Sequence, residues 1–153
     1  MNVHGTGVVL DGVGVMLRGP SGSGKSLLAL LLIDDFAARG QEAILVADDR
    51  LDLTVAHGAV TMEAPSAIAG LIEFRGRGIV SRPHVRSAKI GLVVDLVETL
   101  DRMPGEDAFS TELLGVTLPR CPIPRMGVIE TSHQLLLVRE ALAGLTPDST
   151  KTA

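Results

Sequence analysis

Eight consecutive residues, Gly19-Pro20-Ser21-Gly22-Ser23-Gly24-Lys25-Ser26, carry the strongest chemical signal in this 153-residue chain. They fit the pattern G-x-x-x-x-G-K-[ST], in which glycines let successive backbone N–H groups turn inward and form an anion nest. A Val-rich stretch precedes them and a leucine-rich stretch follows, the strand–loop–helix order that such a loop requires. The helix N-terminus adds partial positive charge at the same place. Lys25 would then reach the β- and γ-phosphates of a nucleotide, and the Ser26 hydroxyl would ligate Mg²⁺.

A phosphate loop of this kind works with a carboxylate at the end of an adjacent strand, which positions Mg²⁺ or a nucleophile. Asp48-Asp49 closes the apolar run 43–47, which places both carboxylates beside the loop; the same pair also suits an ordinary strand-to-turn cap. Glu73 and Arg75 stand two apart on an expected strand and so share a face, as a metal carboxylate with a phosphate-binding guanidinium or as a solvated strand surface. His4 lies near the start of the hairpin that feeds the loop. His57, His84 and His133 read as loop or helix-surface residues, and no pair has the i, i+4 spacing of helical metal ligands.

The elements that position these residues follow from the pattern. Asp11-Gly12 between two β-branched runs predicts a hairpin whose second strand covers 13–18. Residues 25–39 predict a helix stopped by Gly40 and, being apolar all round at 27–33, buried on several sides. The run 43–47 reads as a buried strand, and 51–55 with 59–62 as a hairpin through His57-Gly58. A short helix is expected over 65–70, strands flank the turn after Glu73, and 90–97 is a second buried strand. Residues 104–111 read as a mobile polar connection, 113–118 as a strand and 131–142 as a helix. The chain reads as a single domain over 1–143, with a flexible tail over 144–153.

Composition narrows the function. Net charge is −4 from 14 basic and 18 acidic residues without a block of either sign, which argues against nucleic-acid binding through a basic face. Three Phe and no Trp or Tyr leave little for base stacking. The longest apolar run, 27–33, is far short of the ~20 residues that span a bilayer, and the first residues lack the pattern of a secretory signal. The lone Cys121, between Pro119 and Pro122, reads as a packed small residue, and a reducing cytoplasm suits a chain without internal disulfides.

In order along the chain, the loop 19–26, Val46-Ala47-Asp48-Asp49, the run Leu71-Ile72-Glu73-Phe74-Arg75-Gly76-Arg77-Gly78-Ile79-Val80 and Leu114-Gly115-Val116-Thr117-Leu118-Pro119 ahead of Pro122-Ile123-Pro124-Arg125 resemble the catalytic domain of the HPr kinase/phosphorylase family. The resemblance covers roughly residues 3–125 and corresponds to the family's catalytic domain without its separate N-terminal domain. It departs from the family at Pro124-Arg125-Met126-Gly127-Val128, where P-G-R-N is usual. The resemblance implies an α/β fold: a P-loop (Walker A) domain with a twisted mixed β core, flanking helices and kinship to phosphoenolpyruvate carboxykinase. It implies ATP-dependent phosphorylation of a serine of HPr, the phosphocarrier protein of the phosphotransferase system. Phosphate would drive the reverse reaction, releasing pyrophosphate. It implies Mg²⁺ held by Ser26 and Glu73, with Asp49 as helper or metal-linked. Asp48 would be proton acceptor and donor, and His4, Lys25, Arg75 and Arg125 the further catalytic residues. A homo-hexamer is also implied. The rival expectations are a P-loop kinase or ATPase acting on a small molecule, and a nucleotide-sensing module without catalysis.

Overall fold

The computed structural model describes residues 1–145, so the part of the expected tail over 146–153 lies outside the described residues. The strands are β1 (Asn2–His4), β2 (Thr6–Leu10), β3 (Val13–Arg18), β4 (Ala43–Ala47), β5 (Arg50–Ala56), β6 (Ala59–Glu63), β7 (Leu71–Phe74), β8 (Gly78–Ser81), β9 (Ser87–Val97), β10 (Ser110–Leu113) and β11 (Val116–Pro124). Helix α1 (Lys25–Ala38) follows β3, and α2 (Thr131–Ala143) follows β11. No helix of the described residues is long and apolar enough to cross a membrane.

Nine strands form one curled mixed sheet in the order β1-β5-β6-β9-β3-β2-β4, with β11 added to β9 and β10 to β11; β7 and β8 form a separate hairpin. The eleven-residue β9 joins the parts. It pairs antiparallel with β6 through Ser87, Ala88 and Lys89, parallel with β3 from Ile90 to Asp95, and parallel with β11 from Val93 to Val97. The β3 register shifts by one residue after Gly14, where a side chain would collide with the Lys89 carbonyl. Glycine at this position allows the two backbones to approach.

Strand alternation sends side chains into two apolar layers. Val8, Leu10, Val15, Leu17, Leu92 and Val94 pack against Leu28, Ala29, Leu32 and Phe36 of α1 and Val138 of α2. Val9, Met16 and Val93 point the other way, to Leu51, Leu53, Val60 and Met62. Each of the larger side chains contributes roughly 1.5–3 kcal/mol by leaving water. The two helices are tied by the Arg139 guanidinium, which donates to both oxygens of Asp35 at 2.9 and 3.1 Å. Cys121 is buried, and burial pushes its thiol up to about 11, as befits a packed residue.

Several expected elements take the predicted form. Asp11 and Gly12 both have positive φ at the β2–β3 turn, α1 ends one residue before the Arg39 cap, and the 43–47 strand is β4. Others differ. The helix expected over 65–70 is a single 3₁₀ turn, Ser66–Ile68, too short to bury an apolar stripe. The connection over 104–111 contains a 3₁₀ turn, Glu106–Phe109, and the start of β10, and Arg120 Nη1 holds the Ala108 carbonyl at 2.9 Å. The single strand expected over 113–118 is two, because Leu114 and Gly115 (φ 50 and 78) reverse the chain. Strand β11 then continues through Pro119, Pro122 and Pro124. Its first part pairs only with β10 and its second only with β9, so the prolines' missing donors fall on an unpaired side. Helix α1 is fully buried along one stripe, with Leu27, Leu30, Leu31 and Ile33 only half-buried.

Candidate functional site

The loop Gly19-Pro20-Ser21-Gly22-Ser23-Gly24 hangs between the end of β3 and the start of α1. Gly24 caps the helix with φ 95, and a Cβ there would come within 3.1 Å of Met126 Cβ, so the turn and the close packing both favour glycine. No side chain caps the helix and no acidic residue occupies its first turn. Its N-terminal N–H groups therefore face the loop without an anionic partner of their own. Lys25 Nζ donates to the carbonyls of Gly19 and Pro20 at 2.7 and 3.3 Å, folded across the mouth of the loop. Beneath it Ser23 is buried, with an Oγ that has no partner among the described residues.

Asp48 closes this end of β4. Its Oδ1 accepts from Ser26 Oγ at 2.7 Å and from Thr6 Oγ1 at 2.9 Å, and its Oδ2 accepts from the Glu73 backbone N–H at 3.0 Å. Three donors from α1, β2 and β7 thus fix a carboxylate that is 7% exposed. Asp49 behaves differently although it is the next residue. It has φ 72, and the Arg50 N–H bonds back to the Asp48 carbonyl at 2.9 Å, which makes a tight three-residue turn centred on Asp49. That reversal swings its side chain, 71% exposed, away from Ser26 and toward His4. His4 Nδ1 lies 3.8 Å from Asp49 Oδ1, and β1 carries His4 directly opposite Arg50 of β5.

One cleft of about 860 Å³ collects His4, the loop, Lys25, Ser26, Asp48, Asp49, Arg50, Glu73, Arg75 and Met126. Residues on β1, β7 and the loop, remote in sequence, thereby share one space. Arg75 stands just past the end of β7, in the turn to β8, with its side chain still on the cleft wall. Arg125 is placed elsewhere. Its Nε donates to Glu98 at 2.9 Å and its backbone N–H to the Val97 carbonyl, which hold it on the β9–β11 side, outside the cleft lining.

Sequence reasoning missed Thr6, Arg50 and a neighbouring ion cluster. Thr6 is the lone polar residue opening an otherwise apolar strand and is fully buried, which is a readable signal for a hydrogen-bonding duty. The cluster has Asp95 between Arg18 and Arg120, with guanidinium–carboxylate distances of 2.6 to 2.9 Å. Desolvation by burial opposes its charge, yet the hydrogen bonds from the two arginines outweigh this and hold the Asp95 carboxyl below its ordinary value.

The donor set bears on metal binding. Among the described residues no group of three or more His, Cys, Asp or Glu side chains could hold a metal ion. The hydroxyl of Ser26 and the carboxylates of Asp48 and Glu73 are hard oxygen donors on one cleft. Such a sparse oxygen set fits Mg²⁺, which keeps water and takes further ligands from a substrate's phosphates.

Fold and cleft together define an α/β domain with a glycine loop at a helix N-terminus beside three carboxylates, Asp48, Asp49 and Glu73. The family model for the HPr serine kinase C-terminal domain matches residues 1–143, and the chain belongs to that family. It is 36% identical over 136 residues to the HPr kinase/phosphorylase of Lactobacillus acidophilus, covering 80% of this chain and 40% of that protein. It is 35% identical over 156 residues to the HPr kinase/phosphorylase of Streptococcus pneumoniae, covering 93% and 46%. The chain thus spans less than half the length of these curated relatives. The structure of the Hpr(Ser) kinase/phosphatase from Coxiella burnetii superposes with a TM-score of 0.73 at 29% identity, covering 94% of this chain and 91% of that one.

Proposed function

We propose that this domain transfers the γ-phosphoryl group of ATP to a serine hydroxyl of HPr. In reverse it uses inorganic phosphate to remove the group as pyrophosphate. The observation that carries the reading is the Ser26–Asp48 hydrogen bond at the head of a glycine loop, in a cleft that also holds a second, open carboxylate. The loop is read as a P-loop, and the arrangement is akin to that of phosphoenolpyruvate carboxykinase. Family membership and the relatives' names support the choice of acceptor, and a hexameric assembly is proposed from the resemblance alone.

The chain's own groups divide the work. The loop N–H groups and the start of α1 bind the phosphates, and Lys25 exchanges its two loop carbonyls for phosphate oxygens. Ser26, Asp48 and Glu73 would hold Mg²⁺, which supplies charge neutralisation at the phosphates when bound. We assign the proton to Asp49 and the metal side to Asp48, the reverse of the division implied by the resemblance, because Asp48 is buried and fixed by three neutral donors that leave its charge uncancelled beside Ser26, while Asp49 is open to an approaching hydroxyl. The Asp49 carboxylate accepts the serine proton as the serine oxygen bonds to phosphorus and the bond to the β–γ bridging oxygen breaks, leaving ADP. In reverse an oxygen of inorganic phosphate attacks the phosphoserine phosphorus. Asp49, now protonated, returns its proton to the departing serine oxygen. His4, 3.8 Å away, orients that carboxylate, and Arg75, which lines the same cleft, would stabilise the developing charge.

The test is direct. Purified protein with Mg²⁺, radiolabelled ATP and HPr is expected to give acid-stable phosphoserine, and added phosphate to release pyrophosphate from it. Label on a small-molecule acceptor only would favour a small-molecule kinase. ATP binding without transfer to any acceptor would leave a nucleotide sensor. Lys25→Ala, folded by thermal melting, is expected to abolish transfer, and full activity in that variant would remove the loop from the site.

A further inference from the structure

We propose that Arg50 holds the phosphoryl group of the phosphoserine substrate from the serine side, and so sets the affinity for the phosphorylated form of the protein partner far more than the affinity for nucleotide. The inference rests on the phosphoryl-transfer reading above. Arg50 lines the cleft beside Asp49, at the end away from Ser26: Asp48 bonds to Ser26, while Asp49 faces His4, and His4 is the direct cross-strand partner of Arg50. Cross-strand partners project to the same face, so the guanidinium shares the side on which an acceptor must approach Asp49.

Its orientation is built. Arg50 Nη1 donates to Asn2 Oδ1 at 3.0 Å, and Asn2 Nδ2 donates to Asp52 Oδ1 at 2.8 Å, a relay running across β1 and β5. The Asn2 carbonyl oxygen is a neutral acceptor. Among the described residues no carboxylate lies within ion-pair distance of Arg50, in contrast to Arg18, Arg39, Arg86, Arg120, Arg125 and Arg139. Arg50 thus keeps its full charge and most of its donor fork for a ligand. A planar fork of N–H donors matches two oxygens of a phosphate better than it matches a neutral hydroxyl. The neighbouring Asp49 disfavours an anion there unless a cation offsets it, and Arg50 is the cation on that side.

The full chain is assayed in both directions with ATP, with HPr and with phosphoserine-HPr. Arg50→Ala is expected to raise KM for phosphoserine-HPr by about ten- to a hundredfold, the loss of a charged hydrogen bond. The KM values for ATP, whose other phosphates rest on the loop and Lys25, and for unphosphorylated HPr should rise much less than that for phosphoserine-HPr. Arg50→Lys, which keeps charge but not the fork, should fall between, and Asn2→Ala, which frees the guanidinium, should show a smaller rise of the same kind. Equal losses toward ATP would place Arg50 on the nucleotide side and overturn the proposal. So would an unchanged KM for phosphoserine-HPr in a folded, active Arg50→Ala protein, while leaving the phosphoryl-transfer reading intact. A wild-type protein that moves phosphate in neither direction overturns both.

Discussion

Asp95 and the Asp48–Asp49 corner solve one problem, a carboxylate drawn into the protein, in opposite ways. Asp95 is clamped between two guanidinium groups, its charge cancelled where it stands. Asp48 is more buried, yet its hydrogen bonds come from two hydroxyls and one backbone amide, none of which neutralises it. The first arrangement fastens β3, β9 and β11 together at the root of the glycine loop. The second leaves negative charge available to a cation that arrives with a ligand. A buried carboxylate whose neighbours are all neutral donors is thus the better candidate for chemistry than one held in a salt bridge.

The contrast can be broken at its strongest point first. Asp49→Asn is expected to lower forward and reverse transfer together by roughly 10²–10⁴, about 3–5 kcal/mol of barrier, with the Mg²⁺ dependence unchanged. If that profile belongs instead to Asp48→Asn, the two aspartates exchange roles. Next comes Asp95→Ala, which strands two arginines. Because the site is only partly enclosed, a loss near 3 kcal/mol is expected in urea unfolding, with nucleotide affinity of the folded protein kept. Its pH behaviour sharpens the point. The lowered carboxyl contributes stability at pH above its ordinary 3.8, and that contribution is lost as pH falls through the lowered value. Acid titration of the wild type should show this loss and Asp95→Ala should lack it; identical acid limbs would deny the clamp its ionic character.

Smaller effects test the corner itself. Asp48→Asn should raise the Mg²⁺ concentration for half-maximal rate by about tenfold, as loss of a group supporting a metal site does. Asp49→Gly should relieve the left-handed backbone at φ 72 and stabilise the fold by about 1 kcal/mol while transfer is lost. A destabilised Asp49→Gly protein would mean that the turn is not strained.

What could be read from the sequence was whatever is encoded locally. The loop 19–26, the Asp11-Gly12 turn and the β4 strand are each set by neighbours within a few residues. The turn splitting β10 from β11 was hidden because its first residue, Leu114, takes a left-handed conformation rare for an apolar side chain, and Gly115 alone between Leu114 and Val116 reads equally as an interruption of one strand. The Asp95 clamp was hidden for another reason. Arg18, Asp95 and Arg120 meet only through the pairing of β9 with β3 and β11. Most of the residues that share the candidate cleft were legible in the sequence, Arg50 missed and Arg125 misplaced, but the different settings of Asp48 and Asp49 were not, since the backbone angle at Asp49 decides which way two adjacent carboxylates point.

The central strand has a consequence for how the chain folds. Because β9 must pair with β3 near the start of the chain and with β11 near its end, the sheet cannot close on contacts between sequence neighbours alone. The search for those partners costs loop entropy before any pairing compensates, and such topologies belong with the slower single-domain folders. The β2–β3 and β5–β6 hairpins, being local, are expected to form before β9 docks between them and β11 joins it. Refolding should therefore show hairpin-like signals ahead of burial of Val93 and Val94, and the Asp48–Asp49 corner, which needs β7 in place, should acquire its shape only at the end of that sequence.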